Sequence, residues 1–309
     1  MASITETGAP SDAARRYGTE PTGPKPKRIT LSRIILYAIL IIAAAYYLVP
    51  IYVMINTSLK TLAEVRAGNI FVPPAHPTFD AWAKAWDYAC TGLYCEGLKV
   101  GFFNSVKIAV PSVIISIALA MVNGYALANW KFKGSELIFT VLLFGAFIPY
   151  QVLIYPIVIV LRTFGLFGTL PGIIIVHSIF GMPILTLLFR NYFASLPVEM
   201  FKAARVDGAG FWRILVQVML PMSLPILTVA LILQVTGIWN DFLFGVLYAG
   251  RDNLPMTIQL NNIVNSSQGE KEFNVNMAAT MITALVPLII YFVSGKLFVR
   301  GIAAGAVKG

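Results

Sequence analysis

Six long stretches of this chain contain no Asp, Glu, Lys or Arg, and they restrict the fold more than any other feature. A helix needs about 20 apolar residues to cross roughly 30 Å of hydrocarbon. One charge at the middle of such a helix raises the insertion free energy by about 2.5–3.5 kcal/mol. We therefore expect an all-α membrane protein with six transmembrane helices, at about 34–55, 108–130, 137–161, 170–189, 214–240 and 273–295.

The composition also indicates that the bilayer is the solvent. The chain is 58% hydrophobic and 12% charged, with a mean hydropathy of +0.77, whereas soluble domains carry roughly 25% charged residues. Residues 1–30 differ because they are basic and rich in Pro, Gly and Thr, which predicts a disordered tail. The apolar run after them exceeds the roughly 7–15 residues of a secretory signal, so we expect it to remain as an anchor.

The distribution of Lys and Arg predicts the orientation. With the N-terminus inside, the inner segments hold 15 Lys and Arg and the outer loops hold 7. Cytoplasmic loops carry the excess of these residues, so both termini are expected in the cytoplasm and the tail is expected to be a cytoplasmic tail. Both cysteines, Cys90 and Cys95, then fall in the first outer loop, where an oxidising periplasm allows a disulfide. Two free thiols are the open alternative.

The spans lack the side chains of several function classes. None has a carboxylate, Lys or Arg near its middle, which argues against a proton- or sodium-coupled carrier and against an intramembrane enzyme or metal site. The sequence contains no G-x-x-x-x-G-K-[ST] motif, so any ATP hydrolysis would take place on a separate chain. His177 is interpreted as an interhelical hydrogen-bonding residue.

The segment 191–213 between the fourth and fifth spans is too polar to cross a membrane and predicts a helix, a turn and a second helix. Ser195 is expected to cap the first helix, and Glu199 lies in its first turn, where the helix dipole favours an anion. Gly208 is expected to end that helix in the left-handed conformation. The second helix is predicted to begin near Ala209.

This segment resembles the EAA loop of ABC importer permeases, in which E-A-A is followed by D-G and then by an apolar stretch ending in L-P. The matching residues are Lys202, Ala203, Ala204, Asp207, Gly208, Ala209, Leu220 and Pro221. Lys202 stands where the family usually has Glu, and Glu199 lies on the same helix face and could partly substitute for it. The resemblance implies a cytoplasmic coupling helix that docks into a groove on the ATPase subunit.

Three further stretches are similar to the smaller permease subunit of maltose-type carbohydrate importers. They are Phe103-Asn104-Ser105, Trp239-Asn240-Asp241-Phe242 and the C-terminal Gly301-Ile-Ala-Ala-Gly-Ala-Val-Lys-Gly309. The resemblance covers about residues 31–309, which would form the permease domain. The loop around the two cysteines resembles the glucose/mannose-type branch. The outer loop 248–272, with Asn261, Asn262, Asn265, Ser266 and Ser267, resembles the loop that reaches the binding protein in maltose-type relatives, and a solvated loop without a partner is the open alternative.

The resemblance implies a sugar importer of the bacterial inner membrane. Its expected partners are a second permease, two copies of a cytoplasmic ATPase that bind ATP and Mg²⁺, a periplasmic sugar-binding protein and membrane lipid. No cofactor of its own and no nucleic-acid partner are expected. A neutral sugar needs donors, acceptors and aromatic faces along its path. The candidates, each of which could instead make interhelical hydrogen bonds, are Asn123, Tyr150, Gln151, Gln234, Thr236, Trp239 and Asn240.

Other functions remain open. A permease of the same superfamily could carry a glycerol phosphate or a polyamine, although an anion would favour Arg or Lys in spans that have none. A channel or secondary carrier working alone would leave the cytoplasmic helix-turn-helix unexplained. A membrane enzyme would need an acid–base or metal constellation, which the spans do not supply.

Overall fold

The computed structural model describes residues 30–92, 94–130, 132–266 and 271–306, and the side chains up to residue 295. The predicted tail at 1–29, Ser267 of the outer loop and the last three residues of the C-terminal motif lie outside this range. The chain divides into two units, residues 1–51 and residues 52–309. In the first unit, the described residues after Thr30 belong to one apolar helix.

Within the described ranges every regular element is helical. The α-helices are α1 (Leu31–Ser58), α2 (Leu62–Ala67), α3 (Asp80–Asp87), α4 (Lys99–Asn129), α5 (Ser135–Gly145), α6 (Tyr150–Thr163), α7 (Leu170–Ser195), α8 (Val198–Val206), α9 (Phe211–Ile214), α10 (Leu220–Met222), α11 (Leu224–Trp239), α12 (Leu243–Tyr248), α13 (Met256–Asn265) and α14 (Phe273–Ala306). A π-helical turn covers Leu215–Met219, and a 3₁₀ turn covers Arg251–Asn253.

Four helices are long and apolar enough to cross a membrane, or up to six spans result if each of two bent helix pairs is one span. The four are α1, α4, α7 and the part of α14 at Phe273–Gly295. The stretches predicted at 137–161 and 214–240 are not continuous helices. The first is divided into α5 and α6, which meet at 101°, and the second bends by 81° between α10 and α11.

Proline chemistry explains both bends. Pro149 precedes α6 and has no amide hydrogen, so the chain turns after α5 and starts a new helix. In the second pair, the amide of Leu220 donates to the carbonyl of Leu215, five residues back, in the π-helical turn just before Pro221. The wider turn accommodates the proline ring, which would clash with the carbonyl four residues earlier. The chain then breaks at Ser223.

The centre of the second unit is the packed pair of α4 and α7. The two helix backbones approach closely because the residues between them are small. A Cβ on Gly124 would lie 2.6 Å from the Cβ of Phe189, so only glycine allows this approach of the two backbones. Ser112 on α4 donates to the carbonyl of Ile174 on α7 at 3.5 Å. Small residues at helix contacts are typical of membrane proteins, in which packing rather than water expulsion drives association.

A second apolar cluster joins α11 and α14 to α4. The indole of Trp239 donates to the carbonyl of Thr283 at 3.0 Å, and its ring lies 5.7 Å from that of Phe102. The side-chain amide of Asn104 donates to the carbonyls of Asp252 and Leu254 at 3.1 and 3.3 Å. The Phe103-Asn104-Ser105 motif therefore ties α4 to the segment before α13.

Glu64 organises the segment between α2 and α3. Its carboxylate accepts backbone hydrogen bonds from Thr61 at 3.1 Å, Ala75 at 3.0 Å and His76 at 3.3 Å. The hydrogen bond from the Thr61 amide is the main reason why the pKa of the Glu64 carboxyl lies below its usual value. Desolvation acts in the opposite direction, and the bonds from His76 and Ala75 lower the pKa further. The ionised carboxylate is therefore the form that orders this segment.

Candidate functional site

The segment that resembles the EAA loop contains α8, whose C-terminal end is closed by glycine. The amide of Gly208 donates to the carbonyl of Arg205, and that of Ala209 donates to the carbonyl of Ala204, both at 3.0 Å. Gly208 has a φ of +78°. Two such bonds around a left-handed glycine form a Schellman motif. A residue with a Cβ would lose about 1–2 kcal/mol in this conformation, so Gly208 defines where α8 stops.

One buried side chain anchors α8 to the rest of the unit. Phe201 is 7% exposed, and its ring centroid lies 5.7 Å from that of Trp130 and 6.4 Å from that of Tyr125. Phe211, at the start of α9, lies 4.8 Å from Tyr125 and 5.5 Å from Trp130. We call these four residues the aromatic cluster. The guanidinium of Arg205 lies 5.0 Å above the Trp130 ring, so both ends of the turn are held to the end of α4.

The remaining surface of α8 is exposed and partly apolar. Val206 is 88% exposed, Val198 is 51% exposed and Met200 is 41% exposed. A groove of about 590 Å³ lies beside this surface and is lined mainly by apolar side chains, together with Lys202 and Arg205. Of the predicted coupling residues, Glu199, Lys202, Ala203, Asp207 and Gly208 are exposed, whereas Ala204 and Ala209 pack against the core. An exposed apolar helix of this kind is typical of a protein contact.

Two local predictions for this segment were wrong. Ser195 does not cap α8, because α7 continues to that residue and its hydroxyl donates to the carbonyl of Tyr192 at 2.7 Å. Pro197 occupies the N-cap position instead. The second helix begins at Phe211 rather than near Ala209, because the amide of Ala209 is used in the Schellman motif.

A separate cavity of about 190 Å³ lies beside α7, α11 and the start of α12. His177, Gln234 and Asp241 contribute its polar lining. The Nε2 atom of His177 lies 3.8 Å from Oδ2 of Asp241, which is beyond hydrogen-bond distance. The Asp241 carboxylate accepts amide hydrogens from Phe244 at 3.2 Å and Gly245 at 2.9 Å, so it also fixes the start of α12.

The predicted path residues do not form one group. Gln234 lines the cavity, and Tyr150 contacts the cavity residue Phe244 with ring centroids 6.0 Å apart. Trp239 is 2% exposed and bonded within the second apolar cluster, which is a packing role. Asn123 donates to the sulfur of Met182 at 3.5 Å. Gln151 and Asn240 are exposed, and Thr236 is half-buried.

Sequence reasoning missed two polar residues of the cavity. The sequence predicts His177 as an interhelical hydrogen-bonding residue and gives Asp241 only as part of the Trp239-Asn240-Asp241-Phe242 motif at the end of the fifth span. The structure brings them together because the chain turns at the end of α11 and carries Asp241 back toward α7. The sequence signals are one histidine within an apolar stretch and the polar Asn240-Asp241 pair at the end of another, and neither indicates that the two regions meet.

Cys90 and Cys95 form a disulfide in the segment between α3 and α4. Cys90 also lines a polar cavity of about 360 Å³ with Lys84 and Glu272, which form an ion pair at 2.5 Å. The disulfide therefore lies where α3 meets the start of α14.

Comparison with known proteins identifies the family. The model of the binding-protein-dependent transport system inner membrane component family matches residues 112–304, which include α8, its closing glycine and the 190 Å³ cavity. The chain belongs to this family. It is therefore a multi-pass membrane protein and the permease component of an ABC importer, in which another chain hydrolyses ATP.

Two similar proteins match most of the length of this chain. A probable ABC transporter permease protein of Pyrococcus horikoshii, PH1216, is 37% identical over 286 residues, which are 92% of this chain and 100% of the relative. The diacetylchitobiose uptake system permease protein NgcG of Streptomyces coelicolor is 33% identical over 274 residues, which are 88% of this chain and 87% of the relative.

A solved structure has the same permease fold. A chain of a bacterial ABC transporter involved in the import of the acidic polysaccharide alginate matches with a TM-score of 0.72 at 22% identity. The match covers 88% of this permease and 98% of that chain. The likeness shows that the two chains share a fold over the matched region.

Proposed function

We propose that this permease forms half of the translocation path of an ATP-driven sugar importer, and that α8 couples it to a cytoplasmic ATPase. The observation that carries the coupling role is the geometry of α8. One face is anchored by Phe201, the C-terminal end is closed by Gly208, and the outer surface exposes Val206 at 88%. A short rigid helix with exposed apolar side chains suits docking into a partner protein.

The sugar as cargo is supported by relatives and by the chain itself. One curated relative is the permease of a diacetylchitobiose uptake system, and the importer with a similar fold is involved in the import of the acidic polysaccharide alginate. The cavity beside α7 and α11 offers Gln234, His177 and aromatic rings to a ligand, and none of its described lining residues is Lys or Arg. A second permease would complete the path, and a periplasmic binding protein would deliver the sugar.

The proposed topology has six spans with both termini in the cytoplasm of a bacterial inner membrane. In this topology α5 with α6, and the segment from α9 to α11, each count as one bent span. α8 then lies on the cytoplasmic side and the disulfide lies on the periplasmic side, which agrees with the excess of Lys and Arg predicted inside. Two ATPase copies would bind ATP and Mg²⁺, and this chain would need no cofactor of its own.

Affinity purification from gently solubilised native membranes tests this assignment. We expect the tagged chain to retain an ATPase with a P-loop and a second multi-span permease. The exposed Val206 should matter for this assembly and not for folding, so Val206→Asp should lose the ATPase while keeping the second permease. Val72→Asp, at a valine that is 56% exposed between α2 and α3, should retain both partners. A chain that purifies alone and still moves solute without ATP would contradict the proposal.

A further inference from the structure

The cavity between α7 and α11 contains a buried side chain whose hydrogen-bonding groups are unused. His177 is 6% exposed, and its imidazole makes no hydrogen bond within the part of the chain that the structure describes. The fully buried side-chain atoms without a partner in the described part of the chain, such as the Tyr125 hydroxyl, lie elsewhere, so the imidazole nitrogens of His177 are open to the cavity. The cavity is large enough, at about 190 Å³, to supply a partner for them as a ligand or water.

The spacing of His177 and Asp241 fits one bridging oxygen. Their Nε2 and Oδ2 atoms are 3.8 Å apart, which is too long for a direct bond and short enough for one hydroxyl to contact both. A hydroxyl has one proton, so it donates that proton to the carboxylate and accepts from the imidazole, which requires the tautomer with the hydrogen on Nε2. The carboxylate is already held by two backbone amides, so it presents a fixed acceptor to the cavity.

Gln234 adds an amide on the wall formed by α11. Its Nε2 atom donates weakly to the carbonyl of His177 at 3.4 Å. Gly181 on α7 makes room for this amide, because a Cβ there would lie 2.1 Å from the same nitrogen. The amide offers one further acceptor and one further donor, so the cavity presents both kinds of group to a polyhydroxylated ligand.

The rest of the lining is aromatic. The rings of Phe180 and Phe244 are 4.9 Å apart at an interplanar angle of 43°, and the His177 ring lies 5.5 Å from that of Phe244. An apolar wall with a few convergent polar groups is the usual composition of a small-molecule site. Among the described lining residues there is no Lys or Arg, and the one carboxylate would repel an anion.

We infer that His177, Gln234 and Asp241 form a hydroxyl-binding subsite of the translocation path that accepts one ring of a neutral sugar. The inference deepens the proposed function and rests on it. His177 and Asp241 hold one ligand hydroxyl between them, Gln234 contacts a second, and the phenyl rings cover the apolar face of the sugar. Acidic sugars are excluded by the carboxylate.

Uptake by the reconstituted importer, with its partner permease, ATPase and loaded binding protein, provides the first test. The probes are radiolabelled trehalose, maltose, xylose and diacetylchitobiose. His177→Leu should lower the maximal uptake rate of the transported probe about three- to tenfold, the expected effect of one lost hydrogen bond. His177→Gln, which keeps a donor and an acceptor, should recover most of the rate.

The matched control is Ser178→Ala. Ser178 is the next residue on α7, is also buried, and bonds only within its own helix, to the carbonyl of Ile174. Its variant should transport at the wild-type rate. Equal rates for wild type and His177→Leu, at equal amounts of assembled complex, would overturn the subsite while leaving the importer function intact.

Thiol labelling tests the same cavity without transport. Gly237 lines the cavity, and a Cβ there has no neighbour within 4 Å, so Gly237→Cys places one thiol in open space. Cys90 and Cys95 are disulfide-bonded and do not react. A small methanethiosulfonate should label the new thiol, and a neutral probe sugar should slow labelling at least threefold.

The labelling also distinguishes neutral sugars from anionic and cationic ligands, and it tests the subsite independently of sugar transport. Protection by glucuronate or spermidine instead of the neutral sugars, or no protection by any of them, would overturn the subsite. If the wild-type importer carries none of the probe sugars, the proposed function fails, and the labelling still decides whether the cavity binds one.

Discussion

Replacing Gly208 with alanine should weaken coupling without unfolding the chain. A Cβ at this position meets no atom within 4 Å, so the substitution creates no clash. Its only cost is the left-handed backbone, with φ at +78°. That cost is about 1–2 kcal/mol, which corresponds to a roughly five- to thirtyfold fall in the equilibrium constant for closing the Schellman motif. The Phe201 anchor should keep α8 in place.

The assay is sugar uptake per ATP hydrolysed in proteoliposomes that contain the whole importer. Gly208→Ala should lower this ratio several-fold. Gly208→Pro should abolish uptake, because proline fixes φ near −65° and removes the amide that donates to Arg205, at a cost of about 3 kcal/mol or more. Gly210→Ser is the matched control, since Gly210 has a φ of −79° and serine is favoured at an N-cap. Equal ratios for the variants at residues 208 and 210 would refute the reasoning.

Three further predictions concern stability and the outer segments. Gly124→Ala should destabilise the chain by about 1–3 kcal/mol, because the methyl group would lie 2.6 Å from a carbon of α7, whereas Gly145→Ala meets open space and should melt like wild type in detergent. Replacing Cys90 and Cys95 together with serine should cost about 2 kcal/mol, and a maleimide should label the wild-type thiols only after reduction, as mass spectrometry can check. Because the pKa of Glu64 is lowered in the folded chain, its carboxylate stabilises the segment between α2 and α3 at any pH above the unfolded pKa. Amide protection of this segment, measured by hydrogen exchange, should fall as the pH drops through the folded pKa. In Glu64→Gln the protection should not change over the same pH range.

Much of the fold could be predicted because hydrophobic length is a local property. Uncharged stretches of about 20 residues correspond to α1, α4, α7 and α14. The helices continue into charged sequence that the stretches leave out, since α4 begins at Lys99 rather than at 108 and α7 ends at Ser195 rather than at 189. The bends were harder to predict, since the same apolar composition fits a straight or a broken helix. Pro149 and Pro221 marked the places, but the angle depends on what packs around each break.

The end of α8 could be predicted from the sequence, and the cavity beside α7 and α11 could not. The end of α8 at Gly208 is a local matter of backbone conformation and hydrogen bonds. The cavity depends on contact between residues far apart in the chain, such as His177 and Asp241. The periodicity of a sequence does not predict such contacts. The packing role of Trp239 was hidden for the same reason, because its partner Thr283 lies on another helix.

The central claim is that this permease works only as part of an ATP-driven importer, and uptake into proteoliposomes tests it most directly. Vesicles containing this chain, its partner permease and its ATPase should accumulate a neutral sugar presented on the cognate binding protein. Accumulation should stop without ATP, and it should stop when the ATPase is replaced by a variant that cannot hydrolyse ATP. Sugar movement by this chain alone, or accumulation that persists without hydrolysis, would contradict the account.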